Sequence, residues 1–356
     1  MKKEKVEYLI SLFLSIFAAL IIGGFIMLAN GRNPIVGFNA LINGAIGSKY
    51  KIATTLAKTV PLILTGLATS ISFRSGIFNI GGEGQLYLGA FGAALVGITL
   101  INLPGLIGIP LALLVSAIAG GLYALLPAIL RVKYNIDEVI VTIMLNTVAV
   151  LLTGYLVNYP FAADVGKLGA TEIIGEGYHL SRLVRLSTLN TSIFHVIVIT
   201  IIMYYLLERT SIGYEIKMVG QNMNFSRYGG INVKRRMIFA MVVSGILCGI
   251  AGAFEVLGVH YRFLQHISPG YAWDGMLIAL IVKNNPLGVV LMALFFGALK
   301  TGSISMENAT GIPSELISVI QSIIILFIAG EAGFKDKIKG YFARKRLSKK
   351  AGEKNA

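Results

Sequence analysis

Apolar runs of about twenty residues recur along this chain, and no other feature narrows its fold so far. A helix needs roughly 20 predominantly apolar residues to cross the hydrocarbon core of a bilayer. In lipid each backbone polar group must be bonded within its own segment, and runs of this length satisfy that as helices. Read in order, the runs fall at 8–29, 52–73, 77–100, 106–130, 138–157, 193–207, 237–259, 271–282, 286–302 and 313–329. The expectation is an all-α polytopic membrane protein with about ten transmembrane helices, some of them broken or half-length. Composition agrees: 55% of the 356 residues are hydrophobic, 13% are charged, and the mean hydropathy is +0.76. A soluble domain carries about 25% charged residues. The run at 8–29 is too long for a secretory signal and lacks its small-residue cleavage site, so it is expected to be retained.

The formal net charge of +14 is not spread like that of a nucleic-acid binder. Basic residues sit beside the spans: Lys2, Lys3 and Lys5, Arg131 and Lys133, the stretch 209–236, and the tail from 335 to 354. That is the positive-inside pattern, and anionic membrane lipid attracts such segments. It puts both termini, 131–133, the loop 208–236 and the turn 283–286 in the cytoplasm, and 158–192 outside. One transmembrane domain is expected over 1–333, followed by a basic cytoplasmic tail at 334–356. The single cysteine, Cys248, excludes a disulfide framework within the chain, and the four histidines lack ligand spacing, so no metal site is expected.

Within this apolar frame the stretch "SGIFNIGGEGQLYLGAFGAALVG" places Asn79, Glu83 and Gln85 among glycines. A carboxylate at the centre of a lipid-facing helix costs about 2.5–3.5 kcal/mol on insertion scales. Each helical glycine costs about 0.8–1 kcal/mol relative to alanine. A break is therefore expected: an approach from Arg74 to Asn79, a glycine turn, then a helix starting near Glu83. Two roles stay open for these polar groups, bonding the loosened backbone or lining a solute path, since broken helices at membrane depth line cavities. Asn146 and Thr142 share a helix face and suit interhelical hydrogen bonding, with a place for Asn146 on the solute path beside Asn79, Glu83, Gln85, Trp273 and Asp274 as the other reading. Glu255 is read as a rim residue or part of a solute entrance. Trp273 and Asp274 open the short run 271–282, which reads as a half-helix. There an aromatic beside an acid suits a ring-bearing solute, and Trp is also an interface anchor. Lys58 is expected to snorkel toward the interface. Glycines such as Gly120, Gly121 and those of 245–252 point to closely packed helices.

The loop "ERTSIGYEIKMVGQNMNFSRYGGINVKRRM" reads as a short helix over 215–228 lying flat beneath the membrane. Continued as "RTSIGYEIKMVGQNMNFSRYGGINVKRRMIFAMVVSGILCGIAGAFEVLG", it resembles the permease subunits of ABC importers in the branched-chain amino acid, ribose and nucleoside group. "PLILTGLATSISFRSGIFNIG" and "FNIGGEGQLYLGA" resemble the nucleoside branch of that group. The resemblance covers about 54–333. It implies that 215–228 docks on an ATPase, with Gly220, Gln221, Asn222, Arg227, Tyr228 and Gly230 in the docking segment. Met223 stands where the group often has proline, and Ser226 where it often has alanine, which weakens the start of that helix.

The resemblance further implies a bacterial cell-membrane permease for nucleosides, working with a cytoplasmic ABC ATPase, a second and distinct permease subunit and an extracellular solute-binding lipoprotein. A simple sugar such as ribose is the alternative solute. No cofactor is expected in this chain, because no G-x-x-x-x-G-K-[ST] sequence occurs in it and ATP is left to the partner. An ion-coupled secondary transporter using Glu83 or Asp274 is the other reading of the carboxylates. An intramembrane enzyme is excluded for want of any HExxH, GxSxG or paired-aspartate pattern.

Overall fold

The computed structural model describes residues 2–163, 169–311, 313, 315–323 and 326, with side chains from residue 16 onward. The expected crossing at 313–329 lies partly outside these residues, although 316–323 are helical, and the basic tail at 334–356 lies wholly outside them. Among the described residues the regular elements are helices. In chain order they are α1 (Lys2–Ala29), α2 (Pro34–Ile46), α3 (Lys49–Arg74), α4 (Gly82–Thr99), α5 (Gly105–Tyr134) and α6 (Glu138–Asn158). They continue with α7 (Ser192–Arg209), α8 (Ser211–Gln221), α9 (Met223–Tyr228), α10 (Val233–Glu255), α11 (Tyr271–Ile281) and α12 (Pro286–Thr310). Among the described residues six helices are long and apolar enough to cross a membrane: α3, α5, α6, α7, α10 with its continuation, and α12.

Helix bounds follow from local chemistry. Ser48 accepts a hydrogen bond from Lys51 N at the start of α3, and Asp137 accepts from Val139 N and Ile140 N at the start of α6. Asn135, in the left-handed region at φ 55°, ends α5; asparagine tolerates that conformation better than most residues. Past Glu255, α10 widens into a π-turn at Val256–His260.

The chain divides into two compact units. The first, Met1–Gly44 with Gly302–Ala356, packs Gly37 of α2 against Met27 of α1 and Gly44 against Ser305 of α12. The helix α2 has no counterpart in the expected spans: at 13 residues it is too short to cross, and Asn39 and Asn43 interrupt its apolar run. The second unit, Ala45–Thr301, is built round a glycine crossing. A Cβ on Gly245 of α10 would lie 2.4 Å from Gly120 O of α5, and one on Gly89 of α4 would lie 2.3 Å from the Cα of Gly249. Small residues allow such backbone approach, as expected from the sequence. The central helices are enclosed: 83% of the apolar window of α3 is buried, against 22% for α7. The outer faces of α5, α6 and α7 carry exposed Leu122, Met144, Leu151 and Ile201, as helices facing lipid do.

The described residues of the segment expected outside are folded, not loose. Tyr178 is fully buried and its hydroxyl donates to Leu100 O at 2.9 Å; burial raises its phenol pKa. Thr171 N donates to Phe263 O and Leu180 N to Leu257 O, joining the segment to the chain between α10 and α11.

Two readings need correction. Lys58 does not reach outward: its ammonium donates to Lys300 O of α12 at 3.2 Å. Glu255 is not a rim residue, being 4% exposed, with Oε2 3.7 Å from His260 Nε2. Both charged groups find partners inside the unit, which is cheaper at membrane depth than facing lipid.

Candidate functional site

The break between α3 and α4 is knit by a set of buried polar bonds. After Arg74 the chain leaves the helix, Gly76 takes φ +74°, and α4 begins at Gly82, one residue before Glu83. Asn79 bridges the gap. Its Nδ2 donates to Gln85 Oε1 and Ser244 Oγ, each at 2.8 Å, while its Oδ1 accepts from Gly81 N at 3.1 Å and Gln85 Nε2 at 2.9 Å. Asn146 of α6 serves the same backbone from the other side, accepting from Gly84 N at 2.8 Å and donating to Ile80 O at 2.9 Å. Thr142 bonds back to Glu138 O within α6. At the lower end Glu138 accepts from Phe78 N at 3.2 Å and pairs with Arg131 at 3.0 Å. The freed amides and carbonyls of the glycine turn are thus met by Asn79 itself and by Asn146 and Glu138 of α6, while Ser244 of α10 holds the Asn79 amide, as a water-free setting demands.

Glu83 reaches across to a second helix start. Its Oε2 accepts from Ala272 N at 3.1 Å, in the first turn of α11, and it also bonds the Ser268 hydroxyl. An acidic group suits the positive end of a helix dipole, and here one carboxylate stands in the first turn of α4 and against the first turn of α11. On α11, Asp274 is ion-paired with Lys300 of α12, and the Lys300 ammonium lies 5.6 Å from the centre of the Tyr271 ring. Trp273 is 41% exposed and has no part in this bonding. Of the residues singled out in the sequence, Asn79, Glu83, Gln85 and Asn146 therefore come together, and Asp274 lies in the same charged neighbourhood as Glu83 through Lys300. Lys300, Ser244 and Glu138 were missed. A lysine inside the apolar run 286–302 was a legible signal for the first; the other two have none. Among the described residues, no group of His, Cys, Asp and Glu is arranged to hold a metal ion.

At the end of the unit where α3 finishes, the loop 208–236 forms two helices, not the single one expected. Asn222, at φ −157° and ψ 104°, separates α8 from α9 and caps the latter, its Oδ1 accepting from Phe225 N at 3.0 Å. That cap lets α9 start at Met223 without proline, and Ser226 is buried with its hydroxyl donating to Asn222 O at 2.9 Å. Gly220 faces inward: a Cβ there would lie 2.1 Å from Arg74 O. Gly230 takes φ +80° in open space. Gln221, Arg227 and Tyr228 are exposed, together with Phe225. Val219 and Ile77 share one buried cluster with Val233, Met237 and Met241, and Met223 packs against it. The two short helices are therefore seated directly on the membrane break.

The family described as "Branched-chain amino acid transport system / permease component" matches residues 51–329. The chain belongs to this family. It is 36% identical over 330 residues to the guanosine ABC transporter permease protein NupP of Bacillus subtilis, covering 92% of this chain and 94% of that one. It is 35% identical over 338 residues to the nucleoside ABC transporter permease protein NupB of Lactococcus lactis, covering 92% of each. The glucose ABC transporter permease protein TsgB13 of Haloferax volcanii is 30% identical over 332 residues, covering 90% and 87%. A solved structure of a metal-chelate-type ABC transporter in an inward-facing conformation aligns with a TM-score of 0.47 at 17% identity, covering 91% of this chain and 98% of that one.

This permease is thus an integral component of a membrane-embedded ABC importer, and its relatives are transport subunits, not catalysts. Importers of this family combine permeases with an ATPase and a solute-binding protein. That removes the ion-coupled reading of Glu83 and Asp274.

Proposed function

We propose that this permease, with a second and distinct permease subunit, encloses a path for nucleosides delivered by an external binding lipoprotein. A cytoplasmic ATPase, docked on α8 and α9, hydrolyses the ATP, and both termini of the chain lie on that side. The observation that carries the solute class is the 36% and 35% identity over nine-tenths of the chain to permeases named for guanosine and nucleosides. The 30% identity to a glucose permease supports a sugar as the second reading. Within the site we assign Asn79, Glu83, Gln85 and Asn146 to holding the two helix starts, because their polar atoms bond to the protein itself. Solute contact is assigned to Trp273, half-exposed and able to stack on a ring, with Asp274 beside it held by its ion pair to Lys300. In the docking segment Gln221, Arg227 and Tyr228 offer side chains to the ATPase, while Gly220, Asn222 and Gly230 shape the helices that present them.

The test is uptake of labelled guanosine, uridine, ribose and glucose by cells carrying the complete transporter, with and without an inactivated ATPase. Guanosine or uridine uptake that disappears with the ATPase is the expected result. Uptake of ribose or glucose alone transfers the assignment to the sugar reading.

A further inference from the structure

Arg74, the last residue of α3, touches three segments that are far apart in sequence. Its Nε donates to Asn284 O at 2.8 Å, in the turn joining α11 to α12. Its Nη2 pairs with Glu208 at 2.6 Å, at the end of α7 just before α8. Its own carbonyl lies against Gly220 of α8, so closely that a Cβ at position 220 would meet it at 2.1 Å. The side chain is only 14% exposed. A guanidinium suits such a place because its planar fork serves two partners at once, which a lysine ammonium on a flexible stem does less well.

The partners are the segments that a docking motion would need to move. One residue after Arg74 the chain turns into the glycine break that starts α4. Asn284 sits in a turn held by two successive left-handed residues, Lys283 at φ 52° and Asn284 at φ 59°, and that turn ends α11. The same α11 is held at its other end by Glu83 through Ala272 N. Thus α11 is tied to the α3–α4 link at both ends, by Glu83 at its start and by Arg74 at its finish. Displacement of α8 and α9 reaches this closed frame where Gly220 abuts the Arg74 backbone, beside the packing of Val219 and Met223 against Ile77.

Resting on the reading that α8 and α9 dock an ATPase, we propose that Arg74 is a positioning residue for transport: it carries motion of the two short helices to α4 and α11 together. A merely structural arginine, neutralising the carbonyl end of α3, lowers the amount of assembled protein when removed but leaves the solute moved per ATP hydrolysed unchanged. A positioning arginine changes that ratio.

The experiment uses the complete transporter, with its ATPase, second permease and binding protein, in membrane vesicles. Labelled guanosine uptake and ATP hydrolysis are measured together for wild type, Arg74→Ala and Arg74→Lys, after normalising to assembled complex. For Arg74→Ala the expected result is hydrolysis retained and guanosine moved per ATP lowered about tenfold or more, the scale on which a misplaced positioning group acts. Arg74→Lys keeps the charge beside Glu208 but not both bonds, and is expected to fall between. A ratio equal to wild type in either variant overturns the proposal. If Arg74→Ala does not assemble, Arg74→Lys decides alone by the same criterion. Should wild type itself bind no ATPase, the proposed function fails instead, which is a distinguishable result.

Discussion

Two regions of this permease interrupt regular helix with polar residues and glycine, and they treat those residues oppositely. At 75–85 the polar side chains turn inward: Asn79 is 4% exposed, Gln85 1% and Glu83 8%, and each bonds a neighbour in the protein. At 211–230 the backbone is capped just as locally, yet Phe225 is 62% and Tyr228 93% exposed. The cause is the surrounding medium. No water is available at membrane depth to satisfy a stray amide or carboxylate, so polar groups there are held by the fold before they can serve anything else. Beneath the membrane water satisfies what the fold does not, and side chains stay available for a partner. A polar residue in a transmembrane run is therefore first a structural fact, and a bulky exposed one in a short loop is first a surface.

The contrast breaks if the inward set proves dispensable. The largest effect is expected for Asn79→Ala, which deletes four hydrogen bonds and leaves Gln85, Ser244 and Gly81 N without them in a buried site. At about 1–3 kcal/mol for each buried group left unsatisfied, less what repacking recovers, a loss of roughly 2–4 kcal/mol is expected. Thermal unfolding of the detergent-solubilised protein reads it, and a variant as stable as wild type shows the break to be looser than its geometry. Glu83 sharpens the same point. Glu83→Ala removes the acceptor for Ala272 N and is expected to cost about 1–3 kcal/mol. Glu83→Gln keeps an acceptor oxygen and is expected to recover most of that loss. If both variants fall equally, the carboxylate charge and not the hydrogen bond holds α11.

Much of this was legible in the sequence, because hydropathy reports burial in lipid directly. The runs at 106–130, 138–157 and 193–207 became α5, α6 and α7 with bounds shifted by a few residues. The glycines around Asn79 announced the break, since that composition cannot hold a helix. What the sequence hid was long-range pairing. Nothing near Glu83 says that its acceptor role is filled by Ala272, 189 positions away, and nothing near Lys58 reveals Lys300 O. Without such a partner in view, Lys58 reads as snorkelling and Glu255 as a rim group. The division of 211–228 into two helices was hidden for another reason. It depends on one backbone conformation at Asn222, and a residue that caps a helix looks in sequence like any other polar loop residue.

The smallest effect on stability is expected where the outward set is changed, and there the consequence lies elsewhere. Phe225 and Tyr228 make no hydrogen bond through their side chains among the described residues, and the buried contacts of α9 run through Ser226 and Met223. Replacing both aromatics with alanine is expected to change unfolding by no more than about 0.5 kcal/mol, as for surface positions outside caps and cores. Exposed aromatics flanking an arginine are the residue types that dominate protein interfaces, where truncating one commonly costs more than about 1 kcal/mol of binding. The double variant is therefore expected to weaken association with the partner ATPase about tenfold or more, measured by titrating solubilised permease with that subunit. Unchanged stability with weakened association places the function of the two aromatics outside the fold. Unchanged association locates the docking contact at Gln221 of α8 and Arg227 of α9, and a loss of stability instead means that α9 depends on its exposed face, which would erase the difference between the two regions.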